Sequence, residues 1–308
     1  MSSTKLVSTN NKKSSKIEVK LAKPRKKRLT KKEKEEIALK RINQMNVWNY
    51  PYKNWRDKFT NNNVNFIDIK RGSTWGKVLD PLMEDKRMRQ MEDFLSFVVK
   101  ESRKQNIDLF PYPDLIFNAF NLTPYKKVKV VIIGQDPYFN SNMINNSKVP
   151  EAMGLSFSVP VGIKIPSSLR NVYKNLMKYN QLNVSPKHGN LSFWAHQGVL
   201  MINSELTVQE KIAHSHKGRW TWFTKKVIKH LNKHFENLVF IMWGKPAMEL
   251  CWPLVNDKKH KCIVTSHPSG LSCNRGFSFF PAFMKYDTFG ETNKYLKEHG
   301  KEEIVWQI

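Results

Sequence analysis

The sequence predicts an α/β fold, a three-layer αβα sandwich around a central, mostly parallel sheet of about four strands. Three observations predict it. Val130-Val131-Ile132-Ile133 is a run of β-branched apolar residues closed by Gly134, the mark of a strand buried on both faces. Compact apolar runs recur at 198–203, 238–243 and 262–265. Between them lie segments with helical character, and strands that alternate with helices favour parallel pairing.

Residues 1–46 are polar and lack aromatics, with fifteen Lys or Arg against four Glu, a net of +11. Such a segment buries too little apolar surface to offset its ordering entropy, so a disordered basic tail is expected. Lys23-Pro24-Arg25-Lys26-Lys27-Arg28 is a nuclear-localisation or nucleic-acid pattern. Thr30 with Glu33 predicts a capping box opening a short helix over 31–45. Residues 47–74 form a lead-in whose Trp48, Tyr50, Tyr52 and Trp55 predict packing against the domain that follows, 75–308.

Met88, Met91, Leu95, Val98 and Val99 predict a helix ending near Gln105. Phe110-Pro111-Tyr112-Pro113 is a rigid connection, and 115–120 a second helical piece before the central strand. Residues 139–150, rich in Asn and Ser, read as a mobile loop, and 154–159 as a compact apolar stretch. Pro166-Ser167-Ser168 has the composition of a helix start, with Ser as the cap of a helix over 169–179. Further helices are expected over 220–235, from Pro246 onward, and over 286–299.

The chain has 308 residues and a net charge of +26, of which +15 lies outside the tail. Lys and Arg outnumber Asp and Glu two to one, which favours a polyanionic partner, nucleic acid ahead of a membrane surface. No apolar run reaches the ~18 residues of a membrane span, and no signal-like run follows Met1. An intracellular protein is therefore expected, nuclear first, with a cytoplasmic site of DNA replication as the alternative. Cys251, Cys262 and Cys273 are odd in number and lack C-x-x-C pairing, the pattern of free thiols and not of a zinc site. No metal or organic cofactor is expected.

Three of the predicted strands deliver a polar residue at or just past their ends: Asp136, Asn203 and His267. In a parallel sheet all three reach the same edge, where α/β proteins bind ligands. A carboxylate, an amide and an imidazole there supply a base, a reader of a hydrogen-bonding edge and an electrophile.

Gly134-Gln135-Asp136-Pro137-Tyr138, taken with His267-Pro268-Ser269-Gly270-Leu271-Ser272, resembles the uracil-DNA glycosylase family in its main (family 1) form. Gly154-Leu155-Ser156-Phe157-Ser158-Val159, residues 191–208 and Trp243-Gly244 extend the resemblance over about 75–306. It implies hydrolysis of the N-glycosidic bond of uracil flipped out of DNA, the first step of base-excision repair, on single- or double-stranded DNA. It implies Asp136 as the carboxylate that steadies the sugar cation and the water, and His267 as a neutral donor to uracil O2. Asn203 would pair with O4 and N3–H, Phe157 would stack on the base, and Tyr138 would exclude the thymine methyl. Gln135 would add backbone and pocket contacts. On the DNA side, Leu271 would act as the wedge that replaces the flipped base. Pro166, Ser168, Ser269, Ser272 and Arg275 would hold phosphates, with the basic stretch 214–217 as a further candidate. A monomer is expected, with a replication protein as a candidate partner.

The sequence departs from the family pattern at four places. Phe139 stands where the family has His, the segment after it is about eight residues longer, Gly270 replaces a common Pro, and the Pro-rich loop before Ser168 is thinned to Pro166 alone. The longer segment and the basic tail motivate an alternative, a DNA-binding module without catalysis.

Overall fold

The computed structural model describes residues 46–308 together with Thr30, Glu33, Glu36 and Lys40. The rest of the expected basic tail, including the 23–28 patch, lies outside the described residues. Thr30 and Glu33 do form the reciprocal pair of a capping box: Glu33 N–H donates to Thr30 Oγ1 at 3.2 Å, and Thr30 N–H to Glu33 Oε2 at 2.6 Å.

Within residues 46–308 the α-helices, in chain order, are α1 (Trp55–Lys58), α2 (Gly76–Met83), α3 (Lys86–Gln105), α4 (Asn118–Leu122), α5 (Ser167–Lys178), α6 (Ser192–Gln197), α7 (Thr221–His234), α8 (Lys245–Cys251) and α9 (Thr288–Glu298). The strands are β1 (Leu109–Phe110), β2 (Val130–Gly134), β3 (Ser141–Ile144), β4 (Ser147–Pro150), β5 (Val199–Asn203), β6 (Val208–Gln209), β7 (Val239–Trp243) and β8 (Lys261–Thr265).

The main sheet has the order β5-β2-β7-β8, and every neighbouring pair is parallel. In β2, β5 and β7 every residue is buried, so both faces of those strands are covered and the sheet is the middle layer of three. Register fixes the site edge: Gly134 pairs with Asn203, and Trp243 with Thr265. The fold class and all four strands agree with the sequence reading.

Two short antiparallel ladders sit beside this sheet, β1 with β6 and β3 with β4. The second corrects the sequence reading of 139–150 as a mobile loop. Ser141 pairs with Pro150 and Ile144 with Ser147. Asn145 and Asn146 turn the hairpin with φ of 49° and 60°, the left-handed pair that a tight two-residue hairpin turn requires. Asn tolerates that region, so the residues that suggested a loop are the turn of a hairpin.

A second correction concerns α5. Pro166 occupies the cap position and no side chain caps the helix, so Ser167 and Ser168 are its first two residues. Pro suits this helix end because it has no N–H to leave unsatisfied. The lead-in is split. Trp55, Phe66 and Ile69 join the main core, with Trp55 Nε1 donating to Pro111 O at 2.8 Å, whereas Trp48 is 70% exposed. Val47 packs with Val149, Val159 and Ile163 in a small second core that also touches Tyr50 and Tyr138.

Candidate active site

The strand β2 leaves the sheet at Gly134, and the chain turns through Gln135 and Asp136 into Pro137. Gly134 is required by its neighbour: a Cβ there would collide with Asn203 Oδ1 and lie 2.8 Å from Ser156 Cβ. The exit is pinned by main-chain bonds. Ser204 N–H donates to Gly134 O at 2.9 Å, and Gln135 O accepts from Glu205 N–H at 3.1 Å and Ser204 Oγ at 2.8 Å. Gln135 itself is exposed.

Asp136, Tyr138, Phe157 and Asn203 line one small cavity of about 10 Å³, with Ala152, Met153 and Leu155 also on its wall. Phe157 has φ of 64°, strained for an aromatic residue, and its ring lies 4.9 Å from that of Trp243 and 5.9 Å from that of His267. Tyr138 Oη donates to Phe157 O at 3.3 Å, and burial pushes its phenol well above the usual range. The carboxylate, the amide and the imidazole therefore gather at one end of the sheet, around the ring of Phe157.

Burial pushes the His267 imidazole down to about 4, so it is neutral near pH 7. Its Nδ1 accepts the Ser269 N–H at 3.1 Å. A neutral ring whose Nδ1 is an acceptor carries its proton on Nε2, which is then a donor. Gly244 lets β7 turn closely under it, with φ of 89° and a hypothetical Cβ only 3.1 Å from His267 Cβ.

Asp136 is pushed the other way. Burial raises its carboxyl above the usual carboxylate value, and His214 and Lys217 oppose the rise. His214 Nδ1 lies in direct contact with Asp136 Oδ2. The loop that carries His214 is held by Glu205, whose buried carboxylate accepts from Gly218 N–H at 2.9 Å, Trp220 N–H at 2.8 Å and Thr221 Oγ1 at 2.6 Å.

Glu205 and His214 are the residues that sequence reasoning missed. The stretch 214–217 read as a basic loop for phosphate, yet His214 lies on Asp136 and His216 is buried with Nδ1 2.8 Å from Thr207 Oγ1. The signal available was Asp136 itself, a largely buried carboxylate that needs a cationic or donor neighbour.

The loop after His267 lies on the opposite, solvent side of the site. Leu271 is 85% exposed, and Arg275 Nη2 donates to its carbonyl at 3.1 Å. Asn171 Nδ2 donates to Pro268 O at 2.8 Å, which brings the first turns of α5, with half-exposed Ser168 and Pro166, beside this loop. Ser272 Oγ donates to His267 O at 3.0 Å and lies 2.8 Å from Ser269 Oγ, so both hydroxyl protons are engaged within the loop.

The sequence profile of the uracil DNA glycosylase superfamily matches residues 120–297. A probable uracil-DNA glycosylase of Acanthamoeba polyphaga mimivirus is 36% identical over 271 residues, 84% of this chain and 71% of that protein. The uracil-DNA glycosylase of Campylobacter curvus (strain 525.92) is 41% identical over 253 residues, 80% of this chain and 97% of that protein. The crystal structure of mimivirus uracil-DNA glycosylase superposes with a TM-score of 0.78 at 35% identity, covering 87% of this chain and 99% of that one. With profile, relatives and fold in agreement over the segment that builds the cavity, the chain belongs to the uracil DNA glycosylase superfamily.

Proposed function

We infer that the chain hydrolyses the N-glycosidic bond of uracil in DNA, leaving an abasic site, and that Asp136, His267 and Asn203 carry the reaction. The observation that supports this assignment most is the single cavity shared by Asp136, Tyr138, Phe157 and Asn203, with the His267 ring against Phe157. The bond between N1 of the base and C1′ of the sugar breaks with its electron pair going to the base, and the sugar is left as an oxocarbenium ion. Asp136 stabilises that cation, orients the water that adds to C1′ and takes up the proton the water releases. His214 stands against the carboxylate and opposes the rise that burial imposes on it. The uracil anion carries charge on O2, and the Nε2–H of neutral His267 donates there. A histidine with so low a pKa donates a hydrogen bond without surrendering its proton.

Asn203 reads the base. Its amide offers one acceptor and one donor group, matching uracil N3–H and O4, where cytosine presents the opposite pair. A buried mismatch of that kind leaves groups unpaired and discriminates strongly. Tyr138 fills the space a thymine methyl would need, and Phe157 stacks on the base. Leu271 is the wedge, and Ser168, Ser269, Ser272, Pro166 and Arg275 form the phosphate side. Ser269 and Ser272 first exchange their mutual bond for one to phosphate.

DNA is the substrate. We assign catalysis to residues 75–308, with the lead-in as a packed extension, and read the protein as a monomer; a replication protein is the candidate partner of its tail. The 23–28 patch supports nuclear residence.

The test is uracil release from a labelled oligonucleotide, scored as an alkali-labile site, with Asp136→Asn as control. The wild type should cleave, and the variant should lose about 10²–10³-fold in kcat. Absence of release from single- and double-stranded substrate at every salt concentration would return the chain to the non-catalytic reading.

A further inference from the structure

Among the described residues, Leu271 and Phe279 are the two most exposed large hydrophobic side chains, at 85% and 84%. They stand eight positions apart on the same chain segment beyond β8. Leu271 has a task as the wedge, and Phe279 has none.

The chain is shaped to present Phe279. Residues 277–280 form a tight turn: Phe280 N–H donates to Phe277 O at 2.9 Å, and Phe277 N–H to Phe280 O at 3.2 Å. Ser278 has φ of 51° at the first central position, where such turns favour glycine. A non-glycine residue there costs backbone energy, and the second central position, at the tip, goes to Phe279. Gly276 permits the return, since a Cβ on it would collide with Phe280 O.

The exposed ring is also braced. Its centroid lies 4.3 Å from that of Phe280, with 40° between the planes. Phe280 is backed in turn by Phe277 at 5.3 Å and Trp252 at 5.9 Å. An apolar side chain with no role packs or lies loose; this one is held outward by a row of aromatic rings.

The turn hangs from the site. Ser266 N–H donates to Pro281 O at 3.0 Å, and Met284 N–H to Cys273 O at 2.9 Å. From Arg275 to Phe279 is four residues, a reach of at most ~14 Å, or about four base steps. No Asp or Glu occurs from His267 through Tyr286, while Arg275 and Lys285 are basic, so the surface suits a polyanion.

We propose that Phe279, braced by Phe280, is a stacking platform for an unpaired nucleobase of the DNA near the extruded uracil. The proposal rests on the glycosylase reading for the position of the DNA. Extrusion of one base leaves its neighbours without a stacking partner, and a supported aromatic face supplies one to any base. Stacking of this kind gives affinity without sequence preference.

The experiment uses full-length protein with Phe279→Ala and Phe279→Trp. Single-stranded uracil oligonucleotides range from three nucleotides to about twenty, and 2-aminopurine is placed at successive positions on either side of the uracil. Phe279→Ala should raise KM about tenfold on the long substrate, leave kcat unchanged, and leave the shortest substrate unaffected. Phe279→Trp should keep wild-type KM. Wild type should quench 2-aminopurine at one position and Phe279→Ala at none. Equal kinetics for wild type and Phe279→Ala on every substrate would overturn the platform, as would an equal loss on the shortest and longest. Intact DNA binding in Phe279→Ala with loss of a protein contact would assign the ring to a protein partner instead. A wild type that releases no uracil refutes the glycosylase reading, while the quenching scan still decides the platform.

Discussion

The two sides of this site are built by opposite means. The pocket side stands on β2, β5 and the end of β8, with Asn203 buried and Asp136 and His267 largely so, and each side chain is fixed by register or by a close neighbour. The side proposed for DNA stands on the loop 268–280, where Leu271 and Phe279 face solvent and the serines bond to one another. Strand register leaves a pocket residue no second position, so its loss should appear in the chemical step. A loop residue finds its partner only when DNA arrives, so its loss should appear in binding.

The largest effect belongs to the pocket. In the proposed mechanism His267→Leu removes a neutral donor to the uracil anion, and should cost on the order of 2–4 kcal/mol of transition-state stabilisation, read as a fall in kcat with little change in DNA affinity. Steady-state kinetics beside a binding isotherm separate the two. A fall in affinity with kcat preserved would erase the distinction between the two sides. Gly134→Ala attacks the same side through its framework. The added methyl cannot coexist with the present position of Asn203 Oδ1, so uracil release should fall steeply while the fold, followed by circular dichroism, persists.

The pocket also carries a pH signature that the loop lacks. His267 and His216 are both pushed down to about 4 by burial, from an ordinary value near 6.5. Between those values the unfolded chain binds protons that the folded chain refuses. Stability is therefore full above about pH 6.5 and falls as pH drops toward 4, by on the order of 3 kcal/mol for each buried imidazole. Denaturant midpoints across this range should decline with acid, and less so in a His216→Gln variant. A flat profile from pH 7 to 4.5 would show that neither ring is held neutral.

The contrast also explains what was legible in the sequence. The four strands announce themselves because runs such as Val130–Ile133 are apolar at every position, a requirement of a sheet covered on both faces. The gathering of Asp136, Asn203 and His267 was legible because they stand at or just past strand ends, and parallel register does the rest. The hairpin β3–β4 was not, because its signal is an Asn145-Asn146 turn within a polar segment, and composition alone reads that as loop. His214 and Glu205 were hidden for another reason. The Asp136–His214 contact joins two loops far apart in the chain, and no local spacing encodes it. Glu205 closes the N-terminal turn of α7 from a different element, so the usual cap signature beside Trp220 is missing.

On the loop side, Leu271→Ala should separate substrates. In a duplex the wedge offsets the cost of unstacking, a few kcal/mol per step, so kcat/KM on double-stranded DNA should fall about tenfold or more. Single strands need no such help and should be cut nearly as before. Equal losses on both would mean that Leu271 supports the pocket, against its 85% exposure.

The smallest expected effect tests the loop's freedom directly. A Cβ on Gly270 would meet nothing within 4 Å, and Gly270 does not have positive φ. Gly270→Ala therefore fits the folded loop without strain and restricts the unfolded chain, which should stabilise the protein by about 0.4–1 kcal/mol. The same restriction acts on the loop before DNA binds. If Leu271 must be ordered on insertion, Gly270→Ala lowers that cost and should improve KM on duplex DNA slightly while kcat stays fixed. If the variant is more stable yet weaker on duplex DNA, the loop must change its backbone at Gly270 to insert, and the wedge works by rearrangement and not from the conformation it holds in the free protein.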